Sequence, residues 1–196
     1  MLILAMESTA KAASVALVRD GVLAAQSTQC SGLTHSRTLL PMAEDLMKNA
    51  GVKLSEVDRF AVAHGPGSFT GVRIGVCMAN ALGAAHNKPV IAVDALETLA
   101  NPYANETVCA LIDARNGNGY GALYRKGETL VAPCACVIAD FTANLPEPCR
   151  MVGTGTNDPK MPSAADVAKL AARREGEREI APMYLKLSQA ERMWNA

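Results

Sequence analysis

The stretch His64-Gly-Pro-Gly-Ser-Phe-Thr-Gly-Val-Arg-Ile-Gly75 decides how this chain folds. It follows an apolar run from Arg59 and leads into a long apolar segment from about Thr70 to His86, so the spacing predicts a strand, a glycine turn and a helix. Free backbone N–H groups at such a helix start can cradle an anion. A Walker A loop, however, needs Gly-Lys-Ser/Thr, and Gly71 is followed by Val72 and Arg73. A Rossmann fingerprint needs glycine at its first, third and sixth positions. Counted from Gly65 the sixth is Thr70, and Gly71 comes one place late. Neither nucleotide loop is in register.

Along the helix, Gly71, Gly75, Ala79 and Gly83 recur every four residues and lay a strip of almost bare backbone on one side. A glycine in a helix costs about 1 kcal/mol against alanine, so close approach of another element is expected to offset it. Arg73, Asn80 and Asn87 fall seven apart as a narrow polar stripe, and nearly all the rest is apolar. So apolar a helix is expected to be covered on most sides. The covering element is either another protein chain or the neighbouring helix of the same lobe.

Upstream, Leu2 to Met6, Ala13 to Val18 and Val22 to Gln26 are predicted strands, the last two joined by the tight-turn pair Asp20-Gly21. Thr34 is predicted to cap a helix running to about Ala50, where Gly51 stops it. Leu39, Met42, Ala43, Leu46, Met47 and Ala50 share one face of it, and Pro41 should kink it or mark a late start. Pro89 to Val93 reads as a fifth strand, with Asp94 and Glu97 as a capping pair for a short helix. A meander followed by alternating helices and strands implies a mixed sheet with helices on its faces. That order is the one found in the RNase-H-like lobe of the actin, Hsp70 and sugar-kinase superfamily.

After Asn101-Pro102 the pattern partly restarts. Thr107 to Ile112, Tyr120 to Arg125 and Thr129 to Ile138 are strand-like, a helix capped by Ser163 is expected to reach about Glu175, and Met183 to Leu187 is expected as a terminal strand. Prolines and turn residues make 146 to 162 mostly loop. The expected fold class is therefore α/β, an actin-like (ASKHA) fold of two lobes with mixed sheets flanked by helices. Residues 1–100 would form an RNase-H-like lobe bearing partner-binding helices, and 101–196 a smaller, reduced lobe.

Composition narrows the function. The 196 residues carry 19 basic and 19 acidic side chains, and 49% are hydrophobic. A protein that binds tRNA by itself draws affinity from neutralised phosphates and is usually basic, so RNA is expected to be met only through another protein. Met1 to Ser8 lacks a basic leader and reads as a buried strand, not a signal peptide. No apolar stretch approaches the roughly 20 residues that span a bilayer, and the six scattered cysteines read as reduced thiols of a cytoplasmic protein. Cys134-Ala-Cys136 lacks a second ligand pair nearby and is expected to be plain strand.

The segment Gly65-Pro-Gly-Ser-Phe-Thr-Gly-Val-Arg-Ile-Gly75 closely resembles the signature of the TsaB family (also called YeaZ). That family is the small subunit that accompanies the TsaD enzyme in threonylcarbamoyladenosine synthesis on tRNA. Leu2 to Met6 resembles its opening strand, His35 with Leu39-Leu40-Pro41 its H-x-x-x-L-L-P, and Ile112-Asp113-Ala114-Arg115 its I-D-A-R turn. Pro182 to Lys186 with Gln189 to Arg192 resembles its closing segment. The likeness is strongest before residue 115. Glu7-Ser8-Thr9 departs from the Asp-Thr-Ser of many relatives, lengthening the first-loop carboxylate by one methylene.

The resemblance implies a non-catalytic subunit with no cofactor or metal of its own. The related catalytic subunit carries N-H-x-x-G-H after the fifth strand, and its two histidines hold the metal; the matching places here are Ala95 and Leu99. His35, His64 and His86 lie on separate elements and are expected to serve as caps, turns or surface. Expected partners are a TsaD-type catalytic subunit in a heterodimer and a TsaE-type ATPase accessory, and a homodimer of the free chain stays open. The expected interface is Leu39, Met42, Leu46, Gly71, Gly75, Ala79 and Gly83. Met151 to Gly155 reads either as a remnant adenosine loop or, with no second acidic phosphate motif beside it, as a plain strand leading into a turn. The alternative function is a small ATP-dependent enzyme of the actin and sugar-kinase superfamily acting alone.

Overall fold

The computed structural model describes residues 1–32 and 34–186. Gln189 to Arg192 of the expected closing segment, and Leu187 of the expected terminal strand, lie outside the described residues.

Strands β1 (Leu2–Glu7), β2 (Ala13–Arg19) and β3 (Val22–Gln29) form an antiparallel meander, and β4 (Arg59–Ala63) and β5 (Val90–Val93) extend it in parallel. The sheet order is β3-β2-β1-β4-β5. All six residues of β1 are buried, as a central strand covered on both faces requires. Asp20 and Gly21 both take positive φ, the backbone of a tight hairpin turn.

A second sheet repeats the scheme with one strand fewer. Strands β6 (Thr107–Asp113), β7 (Asn118–Arg125) and β8 (Glu128–Val137) form the meander and β9 (Arg150–Gly153) joins β6 in parallel, giving β8-β7-β6-β9. Two mixed sheets of this order flanked by helices make the α/β, actin-like fold.

Helices α1 (His35–Asn49) and α2 (Phe69–His86) cover one face of the first sheet, burying Leu39, Met42, Leu46, Val72 and Val76 against Leu4, Met6 and Val15. The remaining helices are exchanged between the halves. Helix α3 (Ala95–Ala100) follows β5 yet packs on the second sheet, where Leu96 and Leu99 meet Val108, Ala110 and Val152. Helix α5 (Ala164–Ala171) follows the second sheet yet returns to the open face of the first. Its Ala164, Ala165, Ala168 and Ala171 meet Ala5, Ala16, Ala61 and Ala63, small against small, so helix and sheet lie close. Short α4 (Ile138–Thr142) covers the outer face of the second sheet with Ile138 and Phe141.

Several local expectations are corrected. Helix α1 starts at His35 and runs through Pro41, because Pro41 lies on the exposed face, where the carbonyl it fails to bond can meet water. Thr34 makes no side-chain cap. Strand β9 lies within the stretch read as mostly loop and agrees with the strand-to-turn reading of Met151 to Gly155. Helix α5 ends at Ala171, four residues before the expected stop. Residues 183–186 form no strand; Met183 N–H bonds the His64 carbonyl beyond the end of β4, and the edge of β5 is met at Val90 by Glu177 instead.

The alanine interface gives a direct test. Ala168→Leu should destabilise the chain by about 2 kcal/mol through overpacking, read as a lower denaturant midpoint. Lys169→Leu, on the exposed side, should change stability by less than about 0.5 kcal/mol.

Candidate functional site

The glycine loop is closed onto the first loop of the chain. Ser68 N–H donates to the Thr9 carbonyl at 2.7 Å, and Ser8 Oγ donates to the Gly71 carbonyl at 2.9 Å. Ser68 also caps α2 through its side chain, accepting from Gly71 N–H. A Cβ on Gly71 would lie 2.0 Å from the Ser8 carbonyl oxygen, and one on Gly75 2.6 Å from Ser8 Oγ and 3.1 Å from Val62. On Gly83 it would meet Val90 at 2.4 Å.

The small-residue strip therefore faces the chain's own first loop and sheet. This overturns its assignment as an association surface: Gly71, Gly75, Ala79 and Gly83 are buried core, and so are Leu39, Met42 and Leu46 of α1. Sequence reasoning weighed a helix or a foreign chain as the neighbour and missed the loop after β1. Glycine periodicity says that something comes close without saying what.

The polar stripe is also explained from within. Asn80 exchanges two hydrogen bonds with the backbone of Ile180, its Nδ2 donating to the carbonyl and its Oδ1 accepting the N–H. Arg73 Nε donates to Tyr184 Oη at 2.8 Å, and its guanidinium lies 4.0 Å over the Phe69 ring, which stacks on Tyr184. Asn87 is the left-handed C-cap of α2. The segment from Gly176 to Lys186 is thus a strap along α2, tied further by Met183 N–H donating to the His64 carbonyl.

What α2 turns outward is apolar. Cys77, Ala81, Ala84 and Ala85 are exposed, and Ile74, Met78 and Leu82 half-buried. Beside them α1 exposes Leu40, and a groove of about 250 Å³ runs between Leu40, Met47, Val52, Leu54 and Leu82.

Three titratable groups near the loops are held unusually. Glu7 is fully buried at the end of β1; its Oε1 accepts from Thr9 N–H and Oγ1, and its Oε2 has no partner among the described residues. Burial pushes its carboxyl up to about 7, against the Thr9 hydrogen bonds that pull it down. Asp94 is raised to about 6 by burial, while it caps α3 by accepting from Leu96 and Glu97 N–H. Glu97 does not close a capping box; it pairs with Arg174. His64 is lowered by burial and bonds through Nδ1 to the Ala181 carbonyl at 3.0 Å. His35 bonds Ala10 O, and His86 packs against Phe60. The structure does not bring the three histidines together. Ala95 and Leu99 are completely buried, Ala95 among the first sheet and α5 and Leu99 between α3 and the second sheet.

Two measurements test these contacts. Gly71→Ala should destabilise by about 3 kcal/mol, since the new methyl meets backbone, whereas Ala81→Gly on the exposed face should cost about 1 kcal/mol; urea melts separate them. Glu7 carries a folded-state value raised from 4.5 to about 7, so its contribution is full below 4.5 and is lost as pH rises through 7. The loss amounts to roughly 3 kcal/mol. Glu7→Gln should flatten that part of the stability–pH curve and leave the smaller fall due to Asp94.

A family model described as TsaD: tRNA N6-adenosine threonylcarbamoyltransferase matches residues 29–185. The tRNA threonylcarbamoyladenosine biosynthesis protein TsaB of Bacillus subtilis is 30% identical over 99% of this chain and 98% of that protein. The protein of that name from Escherichia coli is 39% identical over 132 residues, 65% of this chain, and the match spans 57% of its length. YeaZ from Pseudomonas aeruginosa superposes with a TM-score of 0.80 at 34% identity, covering 94% of this chain and 99% of that one. Matched along nearly its whole length in both sequence and fold, this chain belongs to the TsaB (YeaZ) family.

Proposed function

We propose that this chain serves tRNA threonylcarbamoyladenosine biosynthesis as a non-catalytic subunit, docking a TsaD-type transferase in a heterodimer. The near chain-long match to the B. subtilis protein that bears this function in its name carries the proposal. The docking surface is the outward face of α1 and α2, with Leu40, Ile74, Met78 and Leu82 at its centre, in place of the buried strip beneath it. An apolar face rimmed by polar residues is the usual form of such an interface. Residues 1–100 supply this face, and the smaller half from 101 braces it through α5 and the strap. A TsaE-type ATPase joins the pair, tRNA is met only within the complex, and the free chain pairs with itself through the same helices in the cytoplasm.

Action as a lone ATP-dependent enzyme draws no support from the loops. The first-loop carboxylate is sealed at Glu7, and the Ser68 and Gly71 N–H groups that would meet a phosphate are bonded to Thr9 and Ser68. A subunit without chemistry raises a partner's activity by binding its competent state more tightly than its idle one.

Reconstitution with the transferase, tRNA and threonylcarbamoyl-adenylate should give modified adenosine only when this chain is present. Leu40→Glu should weaken the pairing at least about tenfold while circular dichroism stays unchanged. Equal product without this chain, or product from this chain without the transferase, would overturn the assignment.

A further inference from the structure

A cavity of about 220 Å³ lies at the seam of the two halves, where α3 and the turn after it meet β6, β7 and the C-terminal end of α5. Ala100, Val108 and Leu170 give it apolar walls. Its carboxylates are already committed: Glu97 pairs with Arg174, which also donates to the Ala92 carbonyl, and Glu106 pairs with Arg150. Two polar side chains of the lining have no partner among the described residues, the Tyr124 hydroxyl and the Arg173 guanidinium. The Tyr124 ring is buried, but its hydroxyl oxygen is not sealed, since Glu7 Oε2 is the only shut-in side-chain polar atom without a partner among the described residues. The hydroxyl therefore opens on the cavity. Burial, reinforced by the Asp94 and Glu97 charges, pushes its pKa up, so it keeps its proton and acts as a donor.

We propose that this cavity binds a small monocarboxylate, its apolar body against Ala100, Val108 and Leu170 and its oxygens bonded by Tyr124 and Arg173. Both unpaired groups are donors, which selects an acceptor-rich ligand over a cation. One unpaired cation among the described residues, set against apolar walls, suits a single carboxylate with a hydrocarbon body better than a phosphate, which needs several donors. The volume admits a ligand of benzoate or isovalerate size. The site is separate from the docking face on α1 and α2, and its occupation is independent of the proposed complex. Because the walls come from both halves, the ligand ties α3 to α5 and stabilises the fold by mass action.

The full chain should be titrated with sodium benzoate and sodium isovalerate at constant ionic strength, following the backbone amides of Ala100, Val108 and Leu170 by NMR and the thermal midpoint. At least one probe should give saturable shifts at millimolar concentration and raise the midpoint. Tyr124→Phe and Arg173→Gln should each weaken binding by about tenfold, the worth of one charge-assisted hydrogen bond, and neutral benzamide should bind more weakly than benzoate. No saturable shift with either probe, or unchanged affinity in both variants, would overturn the site.

Discussion

The distance between α2 and the loop after β1 governs much of this molecule. With a side chain at Gly71 or Gly75 the helix would have to stand off from Ser8, whose hydroxyl bonds the Gly71 carbonyl. Close seating lets Val72 and Val76 fill the core over β1 and β4. It also presents Arg73 and Asn80 at the height where the strap passes, so that Tyr184 and Ile180 can reach them. The strap in turn places Glu177 on the open edge of β5. An unprotected edge strand invites pairing with other chains, and here Glu177 occupies that edge at Val90.

The strand order of the first half was legible because hydrophobic period and turn chemistry agree there. Asp20-Gly21 admits little except a hairpin, and the run through Leu2 to Met6 is what a strand buried on both faces looks like. The second half was less legible for physical reasons. Four residues suffice for β9 because its parallel neighbour β6 supplies the ladder, and so short a run leaves no periodic signal. The destination of a helix is also not encoded in its own spacing. Ala164, Ala165, Ala168 and Ala171 announce a small-residue contact, but only the tertiary structure says that it lies across the other sheet.

The same limit explains the candidate interface. Helical spacing separated the faces of α1 and α2 correctly, placing Leu39, Met42 and Leu46 on one side and Gly71, Gly75, Ala79 and Gly83 on one side. Each of these faces turned out to look inward. The apolar surface left open on these helices is made of residues that sequence patterning passes over, such as Leu40 and Met78, which lie outside both the polar stripe and the core stripe. Burial of Glu7 was equally unreadable, since one carboxylate at the end of an apolar strand looks the same whether it opens to solvent or is shut in by Thr9.

The exchange of α3 and α5 sets a schedule for synthesis. All five strands of the first sheet have been synthesised once Val93 is added, yet the face over Ala5, Ala16 and Ala61 stays bare until α5 follows about seventy residues later. At about 5–20 residues per second this is an interval of several seconds. For that time the nascent chain carries an exposed apolar sheet that nothing yet made can cover, and so it is a target for the chaperones that wait at the tunnel exit.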